Sequence, residues 1–343
     1  MRHKKLVMNC WLVLLALCAL SVVGCVPQDE DSDDTEFKQA IPLAQSMTLE
    51  VPASQGSGQL AVGDKSSLYE LTRLVSGNVN AHVAVILAYP ALISLLPPTE
   101  KGEGFRVWGP SEPQGLEKIS WRMRMDKISA DRFSFKLEGR PKGSTDEAAF
   151  LPVMTGEVTP HATDRLKSKG TLKLLFDNSF ALDSDPCNTG TIDVIWDAQS
   201  TTRAVQVVWT DFENKCEDDK LENATYEYTE APDKAGTFEF ITYSNIHDEA
   251  ENKPLKDKMS ITSRWLSSGQ GRSDVVISGE EVTADLQAAA LTETAVQATQ
   301  CWSDLFVLTY ADTNPDALEA AVFPNIGKVD DCPFQDAQFA SVP

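Results

Sequence analysis

The sequence predicts a mainly β protein: a curved antiparallel meander of about ten strands, closed as a barrel, half-barrel or sandwich and preceded by one long amphipathic helix. Two observations carry this. From about Phe105 onward, large apolar residues recur at every second position in short runs bounded by turn residues. The connections are too short for parallel βαβ units, so neighbouring strands must be antiparallel. A third observation places the helix. From Leu68 to Ile86 apolar residues recur every three or four positions, from His82 to Leu96 the apolar character widens to nearly all faces, and Pro97-Pro98 ends it.

The chain opens with Arg2, Lys4 and Lys5, an uncharged apolar run from Leu6 to Leu20, and then small residues up to Cys25. These are the three parts of a secretory signal peptide, here residues 1–24. The apolar run is shorter than the roughly twenty residues a permanent span needs. The ending, Val22-Val23-Gly24-Cys25, resembles the lipobox of bacterial lipoproteins. That resemblance implies cleavage before Cys25, acylation of its thiol and amino group, and a membrane attachment of several acyl chains. Val26 rather than Asp after the cysteine implies, by analogy with lipoprotein sorting, the outer membrane of a Gram-negative cell envelope. The acidic run that follows resembles surface-export signals, so the domain faces either the periplasm or the exterior.

Residues 25–63 carry Asp29, Glu30, Asp31, Asp33, Asp34 and Glu36 and end in a Gly/Ser-rich passage, and read as a self-repelling flexible tether. About forty such residues would span roughly 35 Å. The Asp29-Asp31-Asp33 alternation lacks the glycine and distal glutamate of a calcium loop, and no metal is expected.

Residues 64–98 hold the helix, with Ser67-x-x-Glu70 as a capping box and Leu68, Leu71, Val75, Val79, Val83 and Ile86 as its stripe. Its length before Pro90, and Pro90 itself, argue against a second membrane span. The helix either packs on the sheet or lids an apolar cavity beneath it.

Residues 99–343 form the β domain. Ile119, Trp121, Met123 and Met125 pair across a hairpin with Phe133, Phe135 and Leu137. Alternation returns at Leu172–Phe176, Ile192–Trp196, Val205–Trp209, Tyr226–Tyr228, Phe238–Phe240, Met259–Trp265, Val275–Ile277 and Leu305–Val307. Residues lining a cavity under the helix would be Leu71, Val75, Val79, Val83, Ile86, Trp121, Met123, Phe133, Phe135, Trp196 and Trp209. Ala284–Ala295 reads as a short surface helix, and Asn314-Pro315 starts another that ends at Pro324. The tail packs over one end of the sheet.

After removal of residues 1–24, four unlipidated cysteines remain: Cys187, Cys216, Cys301 and Cys332. An even number in an oxidising compartment indicates two disulfides. A hairpin with Thr201-Thr202 at its tip sets Val194 opposite Trp209 and Trp196 opposite Val207, and the same register joins Cys187 to Cys216. Cys301 then joins Cys332 and staples the tail to the last strand. Each closes about thirty residues, worth ~3–4 kcal/mol in the chain-entropy model.

The mature chain carries 27 Lys and Arg against 51 Asp and Glu, a formal −24. That field repels phosphate backbones and anionic headgroups, which excludes nucleic acid as a partner. The sequence has no catalytic or cofactor signature: no H-E-x-x-H, no G-x-S-x-G, no P-loop, no G-x-G-x-x-G. His82 reads as a helix-stripe residue, His161 as part of a turn and His247 as part of an acidic loop. Gly269–Ser273 reads as a hairpin turn with Ser273 facing solvent or bonding within the turn, and Asp312–Asp316 as a helix cap. Gly139-Arg140-Pro141-Lys142, Gly236-Thr237-Phe238, Ser263-Arg264-Trp265 and Cys301-Trp302 resemble myxobacterial-type outer-membrane lipoproteins of uncharacterised role. The helix-then-curved-sheet layout resembles periplasmic lipid carriers. The leading expectation is a lipid-anchored, non-enzymatic domain that binds a ligand or partner. A carrier of lipid or lipoprotein and a carboxylate hydrolase are the alternatives.

Overall fold

The computed structural model describes residues 32–48, 50–53, 63–111, 117–185, 187–216, 219–244, 257–319 and 322–339. The expected signal peptide, Cys25 and His247 lie outside these residues.

Fourteen strands follow one another in a single antiparallel meander: β1 (Glu100–Gly102), β2 (Phe105–Trp108), β3 (Ile119–Lys127), β4 (Phe133–Pro141), β5 (Leu151–Thr159), β6 (Lys169–Leu175), β7 (Asn188–Asp197), β8 (Arg203–Asn214), β9 (Asp219–Glu230), β10 (Gly236–Ser244), β11 (Asp257–Trp265), β12 (Gly271–Gly279), β13 (Ala295–Trp302) and β14 (Leu308–Asn314). Each bonds to its neighbour in sequence, and β1 does not bond to β14. Of the expected architectures, the sheet is the open one.

Its curl rests on glycines set opposite large rings. Gly139 pairs with Trp121, Gly156 with Phe135, Gly170 with Trp196, Gly236 with Trp265 and Gly271 with Trp302. A Cβ at Gly170 would lie 2.7 Å from the Trp196 ring, so the indole folds flat over the neighbouring strand in space that only glycine leaves.

The helix α2 (Ser67–Ile93) packs on the concave face. Ser66, not Ser67, is its cap, and its hydroxyl accepts the Tyr69 N–H at 3.2 Å. Leu68, Val75, Val79, Val83 and Leu87 join Met123, Met125, Phe133, Phe135, Trp196, Tyr226 and Tyr228 in one core. Pro90 lies within the helix, four residues from its end, and does not break it. By length and composition alone α2 could cross a membrane, so length does not exclude a span as expected. Its buried stripe on the sheet is what places it in this fold.

Several expectations need correction. Part of the region read as a flexible tether is packed. The helix α1 (Ser32–Gln39) and the segment after it bury Phe37, Ala40, Ile41 and Met47 in the core. Asp34 is held by Lys101 at 2.5 Å and Arg106 at 2.6 Å, which neutralises the acid that made the stretch look solvated. Burial alone would raise the Asp34 pKa, but these two cations hold it below the usual range.

The Cys187–Cys216 and Cys301–Cys332 disulfides are both present, each with Cα atoms 5.5 Å apart. The β7–β8 register differs from the expected one by two residues: Val194 faces Val207 and Trp196 faces Val205. A two-residue slip keeps every side chain on its face. Asp197 accepts the N–H groups of Gln199 and Ser200 and widens the turn. A bulge at Asp211, whose φ is 49°, then recovers one of the two residues of offset toward the cysteines. Cys301 lies on β13, the strand before the last.

Leu305 and Val307 precede the final strand, and Phe176 opens a short helix α3 (Phe176–Leu182). The alanine-rich stretch divides into α4 (Glu280–Ala288) and the start of β13. Where a helix was expected from Pro315, the described residues show a single turn over Asp316–Leu318, with no side-chain cap.

Candidate functional site

The concave face is filled at one end and open at the other. Where α2 begins, its Leu68 and Leu71 stand over Met259, Val275, Ile277, Val296 and Ala298 of β11–β13. Val282, Leu286 and Ala289 of α4, with Leu318, Val322 and Phe323 from the segment after β14, form the remaining walls. Together they enclose a groove of about 430 Å³, and Asp285 is its one charged lining residue. That volume lies in the range of small-ligand sites.

Buried polar groups set its geometry. The side-chain carbonyl of Gln300 on β13 accepts the Ser66 hydroxyl at 2.8 Å and the Leu68 N–H at 3.1 Å, fixing the start of α2. One turn on, Thr72 meets the Ser263 hydroxyl at 2.7 Å, which in turn donates to Ser273 at 2.9 Å. Ser273, expected near solvent, is therefore fully buried. These hydroxyls are short side chains at inward positions, and they hold α2 without filling the space beside it. The carboxylate of Asp257 accepts the N–H groups of Glu281 and Val282 and pins α4 as the opposite wall.

Of the side chains expected to line a cavity, only Leu71 does so. Val75, Val79, Val83, Met123, Phe133, Phe135 and Trp196 are buried in the core, and Ile86, Trp121 and Trp209 pack against its edge. The groove-lining residues of β13, Val296 and Ala298, follow the stretch Ala284–Ala295 read as a helix and were assigned to no strand. A usable signal was the alternation Val296, Ala298, Gln300, Trp302.

A second, polar cleft of about 270 Å³ lies on the convex face, lined by Arg272, Gln297, Thr299, Asp312, Asn314 and Asp316. Its central charges are already engaged. Arg272 donates to Asp274 at 2.9 Å and to the carbonyls of Phe334 and Gln335, while Asp274 also accepts from Thr299 and from the Gln338 N–H. The tail thus packs over the outer face of β11–β14 rather than over one end.

The chain matches no family model, no curated protein and no solved structure.

Among the described residues, no three of His, Cys, Asp and Glu cluster to hold a metal. His82 Nδ1 lies 2.7 Å from the Asn78 carbonyl on its own helix, and His161 is exposed. Among the described residues, no imidazole is hydrogen-bonded to the Thr72–Ser263–Ser273 chain. Besides Asp257, which is engaged by α4, Glu230 is a buried acid at an inward position of β9. Burial works to raise its pKa, but the Tyr228 hydroxyl at 2.5 Å, Lys234 and Arg203 hold it below the usual carboxylate range.

Proposed function

We propose that this protein is a non-enzymatic binding protein of the bacterial cell envelope, kept at the outer membrane by acyl chains on Cys25. Its ligand is an apolar molecule of acyl-chain dimensions, taken up in the groove between α2, α4 and β11–β13. The observation that carries this reading is the groove itself, apolar on every wall except at Asp285. Such a lining holds water poorly, so an apolar chain displaces solvent favourably. The engaged carboxylates of Asp34 and Glu230 favour binding over hydrolysis, since each already lies between cations.

A permanently anchored protein must receive its ligand rather than shuttle it. This favours a receptor over a free carrier.

The test is titration with a pyrene-labelled fatty alcohol, an uncharged probe chosen because Asp285 and the mature chain's formal charge of −24 disfavour anions. Saturable binding is expected. Ala289→Trp, which places an indole at the groove from an exposed position, should weaken binding at least about tenfold. Its stability should change by no more than ~0.5 kcal/mol. Absence of binding by the wild type, or equal binding by the variant, refutes the groove. Intact mass of protein purified from its membrane reports separately on Cys25.

A further inference from the structure

We propose that the C-terminal end of α2 is a membrane-contact surface that dips into the bilayer entered by the Cys25 acyl chains, and so fixes how the domain stands on it. The inference rests on the reading of Cys25 as the lipid anchor, and goes beyond the groove.

The first support is the composition of the helix's outer face. No Asp, Glu, Lys or Arg occurs between Arg73 and Glu100. Toward the end of that interval Leu92, Leu95 and Leu96 are 49%, 75% and 62% exposed. Two of them are among the most exposed large apolar side chains described, and they are consecutive, on a turn that projects past the last helical residue. Isolated exposed leucines are ordinary, but three at one helix end with no charge among them form a patch.

The second support is where the chain outside the described residues attaches. Asp34 of α1 is gripped by Arg106 of β2 and Lys101 of β1. Two residues from Arg106 and on the same face of β2, Trp108 donates its indole N–H to the Leu96 carbonyl at 3.0 Å. Two residues along a strand are about 6.6 Å. The first packed residues of the domain and the leucine turn therefore share one corner of the molecule. Only seven peptide steps separate Cys25 from Ser32, a reach of at most about 25 Å. A lipid at Cys25 is thus tethered within about 25 Å of Ser32, on the side of the molecule where β2 carries both Arg106 and Trp108.

The third support is charge. With a formal −24 the mature protein has no general electrostatic attraction to an anionic bilayer, so contact must be made by apolar side chains. The groove lies at the other end of α2, up to about 40 Å away along the helix axis. This arrangement would present it toward the aqueous side, where its ligand arrives.

The experiment uses the full protein purified from membranes, in vesicles of zwitterionic phosphatidylcholine containing spin-labelled lipid. A nitrobenzoxadiazole fluorophore is attached to Leu95→Cys or, as the control, to Ser267→Cys in the exposed β11–β12 turn beside the start of α2. The label at 95 is expected to shift to the blue on vesicle binding and to be quenched by the lipid spin label. The label at 267 should show neither change. With Leu96→Asp added, the label at 95 should lose both the shift and the quenching while the protein stays vesicle-bound through its acyl chains. A label at 95 as wet in vesicles as in free protein, or quenching at 267 equal to that at 95, overturns the proposal. Intact mass of the same preparation shows whether Cys25 is acylated, so failure of the anchor reading is distinguished from failure of the contact surface.

Discussion

The middle of the concave face and its β11–β13 end are built on the same sheet and covered by the same helix, yet one is solid and the other hollow. Between β3 and β9 the inward positions are Met123, Met125, Phe133, Phe135, Trp196, Tyr226 and Tyr228, all nearly inaccessible to solvent. On β11–β13 they include Ser263, Ser273, Val275, Ala298 and Gln300. Rings fill the space under α2 in the first region. Hydroxyls and an amide hold the helix in the second and leave room beside it. Dense packing and open space are thereby assigned to different stretches of one meander.

Three measurements sharpen or break this contrast. Trp196→Ala should cost the most, about 3–5 kcal/mol in urea unfolding, because it empties the filled region and leaves the Ser168 hydroxyl without the indole N–H 3.1 Å away. A much smaller loss would mean that the core collapses easily and is not the rigid half.

Glu230→Gln follows at about 2 kcal/mol near neutral pH. Because the folded Glu230 has a lowered pKa, its contribution is complete above the unfolded pKa and disappears as pH falls through the folded value. The wild-type and variant stability curves should therefore converge in acid. Parallel curves would show that Glu230 adds no pH-dependent stability.

Thr72→Val should cost least, about 1 kcal/mol, by removing the hydroxyl that meets Ser263 while keeping the volume. It should alter fatty-alcohol binding more than Trp196→Ala does at temperatures where both variants are folded. Equal effects on binding would erase the division between the two regions.

Much of the sheet was readable because a period of two is a local property. The β3–β4 hairpin, the inward set of β7 and β8, and both disulfides follow from alternation and cysteine parity. The β7–β8 register was missed by two residues because Asp197 and the Asp211 bulge act through backbone geometry that hydrophobic alternation does not encode. The packing of α1 was missed because Phe37, Ala40 and Ile41 are sparse among acids, and only the cations of β1 and β2 make their burial possible.

From sequence alone came the meander, the single covering helix, the cysteine pairs and the expectation of a lipidated Cys25, since each depends on residues close together or on counting. The groove, its walls and the leucine corner required the tertiary structure. A void is set by which side chains from distant strands fail to meet, and no local pattern records an absence of contact.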